Sequence, residues 1–415
     1  MASENLYELA YRFFDTKLWK KVGGTELFAI TLADGEIGYC SVTGLSEDTV
    51  SLTLYPGDAG YRSFRRIIRH DSDPAGMAET MNVIATMDCL RCSFVDRDDL
   101  SDQETAEVRT FAAAHRRNLR GSRAYVGFSK HEFGCVGWHL ETDRDEWRMT
   151  RALEAALALS GMLLRTSGEE LGLCPIGREP DRVPLLTRRG REWELSHTPL
   201  PTAEDSWQEV SFENELTLTR VRRLARSGIW ECNMTYVSNP FPGADPHAAL
   251  VYPLMLCSTD ALTGDMLAPS ISNEGKEGEL LDEFARMMLE KNERPTRIRC
   301  GDDRTFALLK DFCAGTGIER ERKELSRAAR ENADALAEEM GKPDEEIFGE
   351  DPDDIHWMDQ AEVDQFLVDT LSGISDEALI GLTEFAQQDL LKMVDDGRLP
   401  LPLAARLDRL LRKKD

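Results

Sequence analysis

Asp260, Asp302 and Asp303 are the residues of this sequence whose type and placement come closest to catalytic chemistry. Asp260 ends a strand-like run that closes at Thr259, and Asp302-Asp303 follow the next strong one, Thr296 to Cys300. Carboxylates gathered at a sheet edge are what a two-metal phosphodiesterase needs: hard oxygens hold magnesium, and the ions activate water and stabilise the leaving oxygen. Such ions sit about 4 Å apart, so the carboxylates must approach within about 8 Å of one another. The same positions suit turns and helix N-caps, and no third carboxylate stands at a matching place. Turn-forming and capping roles are therefore expected, with metal-dependent hydrolysis of nucleic acid as the alternative.

The remaining reactive side chains point away from catalysis. Cys89-Leu90-Arg91-Cys92 is a lone pair of thiols, whereas a zinc site needs four ligands, and residues three apart on a strand face opposite ways. The nine cysteines are an odd set scattered through apolar contexts, which predicts reduced core thiols without disulfides. Seven histidines show no paired ligand spacing. Nucleotide-binding glycine loops and a serine nucleophile elbow are missing from the sequence, so no cofactor and no metal is expected. Arg62, Arg65, Arg66 and Arg69 share one helical face and read as a solvated stripe or a grip for an acidic partner, the chain's own acidic stretch included.

These residues must be positioned by mixed elements. Helical spacing covers residues 7–18, and alternating runs at 27–32, 37–42 and 50–55 read as strands, with Asp34-Gly35 as a hairpin turn. A helix follows from Gly60, then a strand at 90–95 and a capping box, Ser101 to Glu104, that opens another helix. Residues 125–140 are strand-like, 146–163 helical, and 183–186 with 192–195 form a two-stranded piece turning at Gly190. The second half runs strand (250–257), turn, strand (265–267), helix (279–289), strand (296–300) and helix (304–313). Its order of hairpin, helix, strand and helix is reminiscent of a truncated ribonuclease-H-like fold, and the first half has the same broad order. Arg91-Cys92 before Asp98-Asp99 and Arg299-Cys300 before Asp302-Asp303 add a hint of duplication. The fold class is α+β: an N-terminal domain over 1–197, a second over 198–331, an acidic linker over 332–356 and a helical unit over 357–415.

The balance of 76 acidic against 50 basic residues, a net charge of −26 over 415 residues, disfavours nucleic acid and acidic membrane as partners. The N-terminus lacks the basic start and apolar core of a secretory signal, and the longest apolar segment, 152–164, is amphipathic, so a cytoplasmic protein is expected. Between Asn332 and Gln365 stand thirteen acidic residues and one lysine. Ile347 and Phe348 are apolar within this stretch, where a purely solvating linker has no use for them, and are expected to dock on the second domain or on a partner. Trp357 precedes a capping box at Asp359 and reads as a staple of the following helix.

Phe28, Gly35-Glu36-Ile37-Gly38-Tyr39-Cys40, Val42-Thr43-Gly44 and Leu54-Tyr55-Pro56-Gly57-Asp58-Ala59-Gly60-Tyr61 form a pattern, joined by Asp96 to Leu100 and Gly137 to Glu141. It resembles the N-terminal domain of an uncharacterised bacterial two-domain family. Tyr252-Pro253-Leu254, Thr263-Gly264, Arg294 to Arg299 and Gly317 to Glu319 resemble the domain of unknown function that follows it there. Together the likenesses cover roughly residues 6–165 and 205–325. They imply a bacterial source and a two-domain core, and no activity or catalytic residue comes with them. Gly137 stands before Trp138 where that family often has proline. With no catalytic signature, the chain reads as a non-enzymatic module that binds another protein.

Overall fold

A computed structural model describes residues 2–340, apart from 45–48, 73–75, 141, 177–181, 203, 206 and 242–248, and also residues 391, 394 and 401–411. The chain divides into two compact units, Met1–Lys342 and Pro343–Asp415. In the second, a helix over Leu401–Leu411 buries Leu403 and Leu407, one turn apart on one face.

The first half of the larger unit contributes α1 (Glu4–Thr16), β1 (Phe28–Thr31), β2 (Ile37–Thr43), β3 (Val50–Pro56), α2 (Gly57–Ser72), α3 (Met77–Ala85), β4 (Cys89–Val95), α4 (Asp102–Ala114), β5 (Tyr125–His131), β6 (Trp138–His139), α5 (Asp143–Met162), β7 (Arg182–Arg189) and β8 (Glu192–Pro199). The strands form one sheet in the order β6-β5-β4-β3-β2-β1-β7-β8. All pairings are antiparallel except β1 with β7. Alternate strand residues face opposite sides, and both sides are filled. Cys40, Val42, Leu52 and Leu54 join the core beneath α1, α4 and α5. Tyr39, Tyr55 and Cys89 join Tyr61 and Phe64 of α2 on the other face. The capping box at Ser101 and Glu104 forms as read.

The second half comprises α6 (Glu215–Arg222), β9 (Ala225–Arg226), β10 (Ile229–Tyr236), β11 (Leu254–Asp260), β12 (Ser270–Ser272), α7 (Glu277–Lys291), β13 (Glu293–Arg294), β14 (Arg297–Cys300), α8 (Asp303–Leu308), α9 (Lys310–Thr316), β15 (Glu319–Arg322) and α10 (Arg327–Glu339). Its main sheet has the order β12-β11-β10-β14-β15. β10, β11 and β12 pair antiparallel, whereas β10, β14 and β15 run parallel.

Three expectations change. The hint of duplication fails on topology: β4 is antiparallel to both neighbours, but β14 is parallel to both. The expected strand at 265–267 is reduced to one bridge, Thr259 with Met266. The acidic linker does not begin at residue 332, because α10 runs to Glu339 with Ala329, Ala333, Leu336 and Ala337 buried at helical spacing. Glu331, Glu338 and Glu339 are exposed and hide that stripe from a composition count.

Candidate functional site

The boundary between the halves is crossed by α3. Ala78, Met81 and Ala85 lie along one face of this nine-residue helix. Met81 and Ala85 are buried with Trp230, Met234 and Phe284 of the second module. Ala78 joins Val237, Ala333, Leu336 and Ala337. The helix start has Gly76 as its cap and no side chain to satisfy its first N–H groups. Asp334 of α10 supplies the missing acceptor: the Ala78 N–H donates to its Oδ1 at 2.9 Å. A Cβ on Gly76 would stand 2.0 Å from Asp334 Oδ2, so only glycine lets this carboxylate approach.

The other side of the contact is a strand with a bare edge. β14 pairs with β10 only over residues 229–232. Beyond that, the Met234 N–H donates to Thr305 Oγ1 at 2.8 Å and to Asp302 Oδ2 at 3.4 Å. The Met234 carbonyl accepts from Asn82 Nδ2 at 3.1 Å, and Thr235 Oγ1 donates to the Ala78 carbonyl at 2.8 Å. A second seam runs alongside, where the Val136 N–H donates to the Leu250 carbonyl and the Tyr252 N–H to the Gly134 carbonyl.

This junction encloses a cavity of about 460 Å³. Its walls are Arg66 and Arg69 of α2, Glu79 and Asn82 of α3, Asp205 and Trp207 of the connecting segment, Asn233 of β10, the turn Gly301 to Arg304, and Asp334 of α10. Trp207 stands between two guanidinium groups, Arg304 at 5.0 Å and Arg66 at 5.9 Å from its ring centre. Arg66 donates to Asp205 Oδ1 at 2.5 Å and to the Thr86 hydroxyl and carbonyl at 3.1 and 2.8 Å. Burial lowers its pKa and Asp205 opposes that. Arg304 bonds both Glu274 oxygens at 2.7 Å and the Tyr236 hydroxyl at 2.6 Å. Burial works against its charge, but Tyr236 and Glu274 outweigh it and raise its pKa. One arginine from each module is thus locked beside one indole.

The predicted residues divide between this cavity and elsewhere. Asp302 lines it as the N-cap of α8, accepting from the Thr305 N–H at 2.6 Å and its hydroxyl at 2.5 Å. Burial raises its pKa against those bonds. Asp303 is exposed and accepts from Arg322 Nε at 2.8 Å. Asp260 accepts from the Leu262 and Thr263 N–H groups at 2.8 and 3.2 Å, an Asx turn. It pairs with Trp230, whereas Asp302 bonds Met234, four residues along β10, or roughly 13 Å at the strand rise. The aspartates of the hydrolase alternative are therefore not gathered, a correction set by strand register. Among the described residues, no group of three or more His, Cys, Asp or Glu side chains is spaced to hold a metal ion.

The arginine stripe is likewise divided by its neighbours. Arg62 and Arg66 face Asp205, at 4.0 and 2.5 Å. Arg65 Nε is buried with no partner among the described residues, and Arg69 is exposed on the cavity rim. Among the described residues, the acidic group that meets Arg62 and Arg66 is Asp205, between the modules. Ile347, Phe348 and Trp357 lie outside the described residues. Sequence reading missed Trp207, Asn233 and Asp334; the Oδ1 of Asn233 is buried without a partner among the described residues. The Trp207 signal was present, since an aromatic residue in a polar connecting segment usually docks.

All nine cysteines are free thiols. Burial pushes Cys89, Cys232, Cys257 and Cys313 up to about 12. No helix of the described residues is long and apolar enough to cross a membrane.

Residues 4–169 match the family model described as Domain of unknown function (DUF7309), and residues 217–335 match Domain of unknown function (DUF6930). The chain therefore joins two domains of unknown function in one two-domain architecture. The structure extends the first beyond its match, because β7 and β8 complete its sheet after residue 169. The second match ends inside α10, which assigns that helix to the second domain. No curated protein and no solved structure matches the chain.

Proposed function

We propose that this is a non-enzymatic binding protein of the cytoplasm whose site is the cavity between its two modules, and whose partner is another protein. One observation carries the reading. The cavity takes its walls from both modules, yet its charged groups are largely spent on each other: Arg66 with Asp205, Arg322 with Asp303, and Asp302 with Thr305 and Met234. Groups committed in this way hold the shape of the cavity. Arg69, Glu79 and the Asn233 carbonyl oxygen have no partner among the described residues and remain for an incoming chain.

The competing reading is a metal-dependent hydrolase built on a ribonuclease-H-like second domain. What favours it is the run of parallel strands β10, β14 and β15 beside the antiparallel pair of β10 and β11. Fold alone does not carry chemistry, and its aspartates lie at two ends of β10.

A photo-crosslinking amino acid at position 69, compared with one at the remote exposed position 262, tests the proposal in cells that make the protein. Recovery of the same partner from position 69 and not from 262 is the expected result. Purified protein with magnesium or manganese should leave single- and double-stranded nucleic acid intact. Cleavage that disappears in Asp302→Asn would overturn the reading.

A further inference from the structure

The two main sheets have four edges, and three of them are closed to further pairing by their sequence. β6 is two residues long, β12 is three, and β15 is charged at each of its four positions, Glu319 to Arg322. Short or charged edges resist the addition of another strand. The fourth edge, β8, runs eight residues in unbroken register with β7, with no bulge and no lysine, and its proline stands last. Leu195 is exposed near its middle.

The hairpin turn decides which backbone groups of β8 are already used. Gly190 and Arg191 form a two-residue turn, with Gly190 at a φ of +63°, so Arg189 and Glu192 close it as a hydrogen-bonded pair. Such pairs alternate along an antiparallel ladder. Glu192, Glu194, Ser196 and Thr198 therefore bond to β7, and the N–H and C=O groups of Trp193, Leu195 and His197 point outward. Pro184, which lacks an N–H, falls opposite His197, as this phase requires. Among the described residues no backbone group pairs with the outward row. Both charges of β8, Glu192 and Glu194, belong to the set bonded to β7, and Arg189 holds Glu194 at 2.6 Å. The outward row itself carries no carboxylate, lysine or arginine.

We propose that β8 pairs with β8 of a second copy of this chain, antiparallel about a two-fold axis between the two Leu195 residues, so that two eight-stranded sheets become one. The outward row is symmetric about that axis. Leu195 meets Leu195 of the second copy, Trp193 meets His197 in both directions, and all three outward N–H groups of each strand find a carbonyl. Glu194 then faces Ser196 and Glu192 faces Thr198, so no two carboxylates stand opposite one another. The neighbouring registers lack this match. A slip of two residues one way sets Glu194 against Glu194, and a slip the other way sets Trp193 against Pro199, which has no N–H to give. The strand is thus complementary to itself, which favours a second copy over an unrelated strand. The contact is small and each chain carries a net charge of −26, so association is weak at low salt. It shares no residue with the walls of the inter-module cavity, and the two readings stand or fall separately.

Sedimentation of the full chain from about 1 to about 200 µM tests the pairing. Monomers should give way to dimers with a dissociation constant of about 10–100 µM, and raising the salt from about 20 to about 300 mM should tighten it by screening the negative charge of the two chains. Leu195→Lys and Leu195→Glu each set like charges across the axis and should weaken the dimer about tenfold or more. An equimolar mixture of the two variants should dimerise, since the axis then joins opposite charges. In the unaltered chain, amide exchange at Trp193, Leu195 and His197 should slow as concentration rises. A chain that stays monomeric to about 200 µM would overturn the proposal. So would a dimer indifferent to both substitutions, a mixture that does not restore it, or slow exchange of this row in the monomer, which would mean that another segment of the chain covers the edge. The concentration and exchange measurements need no variant and stay decisive if one fails to fold.

Discussion

Asp88 shows how a single carboxyl is set by its surroundings. It stands directly before β4, where burial, together with the nearby Glu132, pushes its pKa up to about 6 against the opposing Arg148 and Arg66. Below the ordinary carboxylate range both the folded and unfolded chains hold the proton. As pH rises from about 4 to about 6 the unfolded chain releases it first, so stability falls through that window and the loss is complete above it. A shift of this size corresponds to a penalty of about 1–3 kcal/mol. Asp88→Asn should remove the decline, and urea unfolding of both proteins across the window reads the difference; parallel profiles would contradict it. Among the aspartates singled out from sequence, the structural roles were legible: an N-cap is written in Asp302 three residues before Thr305, and a turn in Asp260 before Thr263-Gly264. Their separation was not legible, because it depends on where two partner strands register against β10.

Among the elements, α3 joins the two modules, with Ala78, Met81 and Ala85 buried against the second. A nine-residue helix is too short to persist by propensity, so its docking must hold it. Met81→Ala should cost about 2–5 kcal/mol even though the residue belongs to the first domain by sequence, because it fills the second domain's core. Asp334→Ala removes the acceptor at the helix start and should cost about 1 kcal/mol, with faster amide exchange at Ala78. Gly76→Ala should reproduce the latter effect by clash; normal protection at Ala78 in that variant would show that the carboxylate does not sit there. The sequence announced most helices through caps and periodicity, but not α3's destination, since an apolar face at Ala78, Met81 and Ala85 does not say which neighbour covers it. β10 was legible and went unread: Trp230, Cys232, Met234 and Tyr236 alternate with Glu231, Asn233 and Thr235, the period of a strand.

For the whole molecule, the consequence is that two sequence domains make one body. The fragment 1–199 would leave α3's apolar face in water and strip the seam at Gly134 and Val136, so it should aggregate or lose protection there. Residues 1–342 should instead unfold in a single transition, seen by fluorescence and circular dichroism at the same midpoint. Two separated midpoints would mean that the modules fold independently. The α+β class and the two-module order could be read from hairpin signals and capping boxes. The joint could not, because it is made by tertiary contacts between residues more than a hundred positions apart, such as Arg66 with Asp205 and Ala78 with Asp334.

On this proposal the protein meets its partner at the cavity walled by both modules. Amide hydrogen exchange of the full chain, measured alone and with the protein captured from position 69, tests it most directly. New protection should appear together in three segments far apart in sequence, residues 76–86, 204–207 and 301–305, which share only the cavity. Protection confined to one module, or absent from all three while the partner is bound, would contradict the account.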